Sequence, residues 1–357
     1  MSVETGERAR RIIILPLALI VLLAGQILLV TAMMAATGIA LPVRLFAAPL
    51  GNTFLLILLK LGAGVAGWLL IGGVRRTWRD YAAALRSWTW WMVSVELAIA
   101  STLLMNFYTT LKLFIPVLTS RNYDAQLWAI DRALLGGFSP NVLFLNLFSN
   151  GLFLELVDLS YAWVFFVTLS IATPLFLAHR SNRLRVGYLT GSVLLWSAGV
   201  WLYYAVPSLG PCYRFFEVWD PVRQHFPVSS YWQKALIENL QRVIRLAEGA
   251  DPSGLVWQHG VAAFPSLHVG FQFHLALWLR RLNPVMGRFG FALTAIIFTG
   301  SILTGWHYLI DSIAGLILAL VCYAGAVHLA GWFVAPRPAL GAVAVDRESE
   351  AVTGERR

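Results

Sequence analysis

Eight stretches of this chain are apolar enough and long enough to cross a hydrocarbon core of about 30 Å at about 1.5 Å per residue. They lie near 12–36, 53–73, 89–115, 159–178, 187–206, 265–282, 289–304 and 307–334. A bilayer core has no water to satisfy backbone groups, so such a chain folds as a bundle of helices. Composition agrees: hydrophobic residues make up 58% and charged residues 13%, where a soluble domain carries about a quarter charged. The expected fold class is an all-α polytopic membrane protein, with a six-helix core and two further helices at the N-terminal end. The first run follows Arg8, Arg10 and Arg11 as a signal peptide would. It exceeds the roughly 7–15 apolar residues of a signal h-region, so a retained span is expected.

Loop charge sets the orientation. Arg8, Arg10 and Arg11 precede span one; Arg75, Arg76, Arg79 and Arg86 lie between two and three; Arg180, Arg183 and Arg185 lie between four and five; Arg280, Arg281 and Arg288 lie between six and seven. All four clusters fall on one side of an eight-span chain, which the positive-inside rule makes cytoplasmic, together with both termini. The net charge of +9 is thus read as loop charge rather than as a nucleic-acid surface. Cys212 and Cys322 fall at different depths, so no disulfide is expected.

In this topology Lys112, His268, His307 and Asp311 converge on the extracytoplasmic interface, and ionisable groups at membrane depth are functional by default. His307 and Asp311 are four apart, so on a helix they share a face and a carboxylate can orient an imidazole. Pro265-Ser266-Leu267-His268 opens a helix whose first amides, with the Ser266 hydroxyl, form an anion site. His268 is then placed to protonate a departing oxygen. The bland readings are a buried polar pair locking two helices, and a helix cap with an interfacial histidine. A metal site on the three residues finds no HExxH or Cys/His pattern in support. Taken together, the residues favour acid–base and nucleophilic work on a phosphoester.

Two outer loops accompany these residues. The first, 116–158, holds Arg121, Asp124, Asp131 and Arg132, then a turn at Gly136-Gly137, then an apolar run expected as an interfacial helix near 141–154. The second, 207–262, carries an amphipathic helix near 231–247, with Trp232, Leu236, Leu240, Val243 and Leu246 on one face. It either packs on the bundle or lids a headgroup. Residues 1–85 read as a two-helix extension, 86–334 as the catalytic six-helix domain and 335–357 as a disordered cytoplasmic tail.

Phe264-Pro265-Ser266-Leu267-His268 and Gly305-Trp306-His307-Tyr308-Leu309-Ile310-Asp311 resemble the second and third motifs of the phosphatidic acid phosphatase type 2 superfamily. Leu267 where phosphatases usually carry Gly, the segment 123–131 before Gly136-Gly137, and Gly210-Pro211 resemble its inositol phosphorylceramide synthase branch. The resemblance implies that His307 attacks phosphorus, Asp311 holds its imidazole, and His268 protonates the leaving group and then activates the acceptor. It implies phosphoryl contacts from Ser266, with Tyr308 beside them, and neither metal nor cofactor. Two motif elements are absent: Gly300 and Ser301 stand where the phosphatases carry Ser-Arg, and Lys112 is not followed by Arg-Pro. Lys112 with Arg121 or Arg214 is the expected substitute for the lost phosphate clamp. The expected activity is headgroup transfer between membrane lipids, donor to lipid or polyol acceptor. The alternatives are a lipid or polyprenyl phosphate phosphatase and, from another class, a transporter or channel.

Overall fold

The computed structural model describes residues 3–38, 43–72, 74–251 and 254–334. Among them the chain is helical without strands. The helices are α1 (Val3–Ala36), α2 (Val43–Gly72), α3 (Val74–Leu85), α4 (Trp88–Leu118), α5 (Asp124–Leu134), α6 (Pro140–Leu147), α7 (Gly151–Leu177), α8 (Asn182–Ala205), α9 (Pro211–Arg214), α10 (Pro227–Ala247), α11 (Leu267–Leu282), α12 (Pro284–Leu303) and α13 (Leu309–Val334). The tail expected over 335–357 lies outside the described residues.

Among the described residues six helical stretches are long and apolar enough to cross a membrane: Ile13–Ala36, Trp88–Leu118, Gly151–Leu177, Asn182–Ala205, Pro284–Leu303 and Leu309–Phe333. The second stretch falls on α2, a helix of 30 residues. The eight-span reading is corrected at one place. The sixth, α11, has 16 residues, about 24 Å of helix, less than a full hydrocarbon core. It is nevertheless the hub of the bundle, packed on α12, α13, α8 and α7. Its last turn holds Arg280 and Arg281, so the missing length is at the His268 end. There the approach descends into the bundle, with Trp257, Val261 and Ala263 buried.

Three connections differ from expectation. The interfacial helix expected over 141–154 is two pieces: α6 stops at Leu147, and Asn150 caps α7 by accepting the Phe153 amide at 3.0 Å. The span therefore starts at Gly151. The arginine loop before α4 is itself helical, as α3. Residues 124–134 form α5, a helix not foreseen within the first outer loop. The amphipathic helix of the second loop is present as α10, with Leu240 and Val243 buried.

Helix ends away from the site are tied by side chains. The last carbonyls of α7 and the residues after it accept from Trp68 (Leu175, 2.6 Å), Arg185 (Leu177, 2.6 Å), Tyr81 (Ala178, 3.2 Å) and Trp90 (His179, 3.4 Å). Such terminal carbonyls have no partner within their own helix. Arg185 is fully buried; it also donates to the Trp90 carbonyl and to Ser94 Oγ, and lies 4.3 Å over the Trp90 ring. At the opposite end α5, α6, α9 and α10 form a layer against α13, α12, α4 and α7.

Candidate active site

The turn between α12 and α13 carries His307, and its shape is dictated by Gly305. This residue follows the C-cap of α12 with φ +78°, the left-handed conformation glycine supplies at a helix end. A Cβ there would lie 2.6 Å from the Trp219 ring. Five carbonyls of the turn accept from distant donors. Asn141 Nδ2 donates to Ile302 (2.8 Å) and His307 (3.2 Å), Trp219 Nε1 to Leu303 (2.7 Å), Gln233 Nε2 to Thr304 (2.9 Å), and the Cys212 amide to Gly305 (2.9 Å). The His307 amide in turn donates to the Ser301 carbonyl at 3.0 Å.

α13 begins at Leu309, so His307 stands ahead of the helix, which corrects the reading of His307 and Asp311 as one helical face. The start is fixed by two carboxylates. Asp311 Oδ2 reaches back to the Tyr308 amide at 2.9 Å, the acidic half of a capping box. Asp131 on α5 accepts the Leu309 and Ile310 amides at 2.6 and 2.8 Å. Asp311 keeps its expected partner by another route: its Oδ2 lies 3.5 Å from His307 Nδ1. That is a charge contact rather than an aligned hydrogen bond, and His307 Nδ1 and Asp311 Oδ1 have no hydrogen-bond partner.

On the other edge of the ring, His307 Nε2 is 3.3 Å from His268 Nδ1. His268 is in the first turn of α11, whose N-cap is Ser266 rather than Pro265: Ser266 Oγ accepts the Val269 amide at 3.4 Å. The Ser266 amide donates to the Asp311 carbonyl at 2.9 Å, which joins the α11 start to α13. A capping hydroxyl still has its own proton to donate. Phe165 and Tyr161 of α7 pack edge-on to His268 with centroids 4.3 and 5.6 Å away.

His307 is 2% exposed. Burial first, and then the Lys112 charge, hold its imidazole down to about 3, which keeps it neutral and its lone pair available. Lys112, on α4, lies 5.7 and 5.6 Å from the Tyr108 and Tyr203 ring centroids. The other two basic residues named from sequence stand elsewhere. Arg121 is exposed and donates to the Tyr204 carbonyl at 3.2 Å; Arg214 is exposed over its neighbour Phe215. Tyr308 is buried beside the pair, its hydroxyl donating to Asp124 Oδ1 at 2.9 Å. Burial, and then Asp124, hold that phenol proton firmly on.

The family model of the PAP2 superfamily matches residues 125–325, more than half of the 357-residue chain. The chain belongs to the PAP2 superfamily. The match takes in both histidines, Ser266, Asp311 and Asp131, and stops short of Lys112 and Asp124. No curated protein and no solved structure matches the chain. Membership makes it an enzyme of the lipid phosphatase and phosphotransferase type, held in the membrane by its six apolar helices.

In this PAP2 protein Ser301, where the phosphatases carry arginine, is fully buried and turns its hydroxyl to the Phe298 carbonyl (2.8 Å) and Ser312 Oγ (3.2 Å). Gly300 beside it is pressed on Tyr161, 2.8 Å from where a Cβ would be. Sequence reading missed Asp124 and Asp131 as parts of the site. Asp124 accepts the Leu209 and Gly210 amides at 2.9 Å each, besides the Tyr308 hydroxyl. The signal was present: the two carboxylates are seven apart, two turns of one helix face.

Proposed function

We propose that this PAP2 protein transfers a phospho-headgroup from a lipid donor to a lipid or polyol hydroxyl through a phosphohistidine on His307, in the manner of inositol phosphorylceramide synthases. The observation that carries the reading is the 3.3 Å approach of His268 Nδ1 to His307 Nε2. Asp311 faces Nδ1, so Nε2 is the nitrogen left for phosphorus. In the first half-reaction the N–P bond forms as the donor P–O bond breaks, and His268, which burial keeps neutral until the phosphate anion beside it favours its charged form, gives its proton to the leaving oxygen. In the second, His268 takes the proton of the acceptor hydroxyl, the new O–P bond forms, and the N–P bond breaks. Lys112, the Ser266 hydroxyl and the first amides of α11 bear on the phosphoryl oxygens. Asp311 stabilises the charge that His307 acquires.

Transfer rather than hydrolysis is supported by the burial of His307 and by the aromatic wall of Phe165 and Tyr161, which keep water from the intermediate. The arginine clusters of the α7–α8 and α11–α12 connections lie at the opposite end of the bundle, which supports an extracytoplasmic site with cytoplasmic termini.

The test incubates the purified protein with phosphorus-labelled phospholipid, with and without diacylglycerol or ceramide. Label in a new lipid only when acceptor is present supports the proposal; label released to water as headgroup phosphate or free phosphate, with no new lipid, would reassign the protein as a hydrolase. Turnover persisting in His307→Ala would end the phosphohistidine mechanism, and flux of intact lipid that tolerates this change would favour transport.

A further inference from the structure

The end of the bundle away from the histidines holds a cleft that headgroup transfer does not use. It is formed by the start of α8, the end of α11 and the last turns of α13, and is lined by Arg183, Leu184, Trp278, Arg281, Val327 and Ala330, with a volume of about 260 Å³. The three helices meet closely there: a Cβ on Gly187 would lie 2.6 Å from the Trp278 ring and 3.4 Å from Ala330. Trp278 is 1% exposed, yet its indole Nε1 has no hydrogen-bond partner.

Arg281 is set in position before any ligand arrives. Its Nε donates to Tyr323 Oη at 2.7 Å, and its guanidinium lies 5.7 and 5.5 Å from the Trp278 and Tyr323 ring centroids. The terminal nitrogens of the fork are left for an anion. Arg183 stands on the other wall, its guanidinium against α13 at Gly331. Among the described residues no carboxylate lines the cleft and neither arginine is paired with one. Between the two cations the lining is Leu184, Trp278, Val327 and Ala330, all apolar. It lies at the ends of three helices, at the end of the bundle that carries Arg280 and Arg281.

We propose that this cleft binds an anionic phospholipid of the adjacent leaflet, its phosphate between Arg183 and Arg281 and its glycerol and upper acyl chain along Leu184, Trp278 and Val327. Two guanidiniums favour a phosphodiester whose charge is uncompensated over a zwitterionic headgroup, whose own cation they repel. The apolar lining selects a lipid over a free, hydrated anion, and basic pockets between spans are where anionic headgroups are held.

The full chain is reconstituted in phosphatidylcholine nanodiscs containing phosphatidylglycerol, and retained lipid is counted by native mass spectrometry. We expect one phosphatidylglycerol held at least tenfold more tightly than phosphatidylcholine, with tenfold or greater loss in Arg183→Gln/Arg281→Gln. Arg288→Gln, an exposed arginine of the same end outside the cleft, is expected to retain it. Undiminished retention in the double variant overturns the proposal. So does equal loss in Arg288→Gln, which would make the effect one of general surface charge, or displacement by millimolar inorganic phosphate, which would make the ligand a free anion. Should the double variant fail to fold, Arg281→Lys keeps the charge without the fork; severalfold weaker retention is expected, and unchanged retention overturns the assignment.

Discussion

Asp131 accepts the amide of Leu309 at 2.6 Å across 178 residues of sequence. With the neighbouring bond to Ile310, it sets where α13 starts, and with it the separation of Asp311 from His307. Asp131 is a positioning residue that touches no substrate. Asp131→Asn is expected to lower kcat by ~10- to 100-fold, about 1–3 kcal/mol for two weakened charge-assisted bonds. KM should change little, because the lost interaction acts on the geometry of the transition state. A rise in KM with kcat intact would contradict this role.

The two histidines are expected to fail differently. His307→Gln removes the nucleophile and should abolish turnover with every donor. His268→Gln removes the proton for the leaving oxygen, so a donor with an acidic leaving group, such as a p-nitrophenyl phosphodiester, should still load His307. An alkali-quenched reaction read by phosphohistidine detection distinguishes them: label on protein in His268→Gln and none in His307→Gln. The reverse pattern would exchange their roles.

Stability should respond to acid with two signs. Burial depresses His307 to about 3, so the folded state binds fewer protons than the unfolded chain below about 6.5. That contribution is complete above about 6.5 and is lost as pH falls toward 3. Burial raises Asp131 to about 6, against the bonds from Ile310 and Leu309 that lower it. Its contribution is complete below about 3.9 and is lost as pH rises through 6. Thermal midpoints in detergent at pH 4, 5, 6 and 7 provide the check. The wild type should lose ground to His307→Gln on acidification and to Asp131→Asn on alkalinisation; parallel curves would contradict both.

Gly305→Ala meets a positive φ and the Trp219 ring together. The backbone term alone costs about 1–2 kcal/mol. The cost of Gly305→Ala in thermal unfolding should be smaller in a Trp219→Ala background than in the wild type, and an equal cost in both would show that the ring is not the obstacle.

Ser120 is exposed just past the site end of α4. A Ser120→Cys variant is expected to react with a membrane-impermeant maleimide in intact cells, the native Cys212 and Cys322 being buried. Labelling only after permeabilisation would place the site in the cytoplasm.

The bundle was legible because apolar length is a one-dimensional property, and the histidine motifs were legible because their spacing survives in the fold. What was hidden shares one cause. The buried stripe of α5 is Asp124, Leu127 and Asp131; a search for apolar periodicity reads such a stripe as solvated loop, since its two carboxylates are buried by amides that arrive from elsewhere. α11 was taken as a full span because its apolar run says nothing of the depth at which Ser266 begins the helix. Arg121 and Arg214 were named for their charge, and only the fold shows Arg121 on a backbone carbonyl and Arg214 at the surface.

The donors that hold the His307 turn come from Asn141, Cys212, Trp219 and Gln233, all earlier in the chain than the carbonyls they meet at 302–307. In synthesis from the N-terminus, every one of them has left the ribosome before the turn is made. His307, the proposed nucleophile, is thus made after every donor that holds its turn, and a chain released before that turn would carry those donors without the carbonyls they hold.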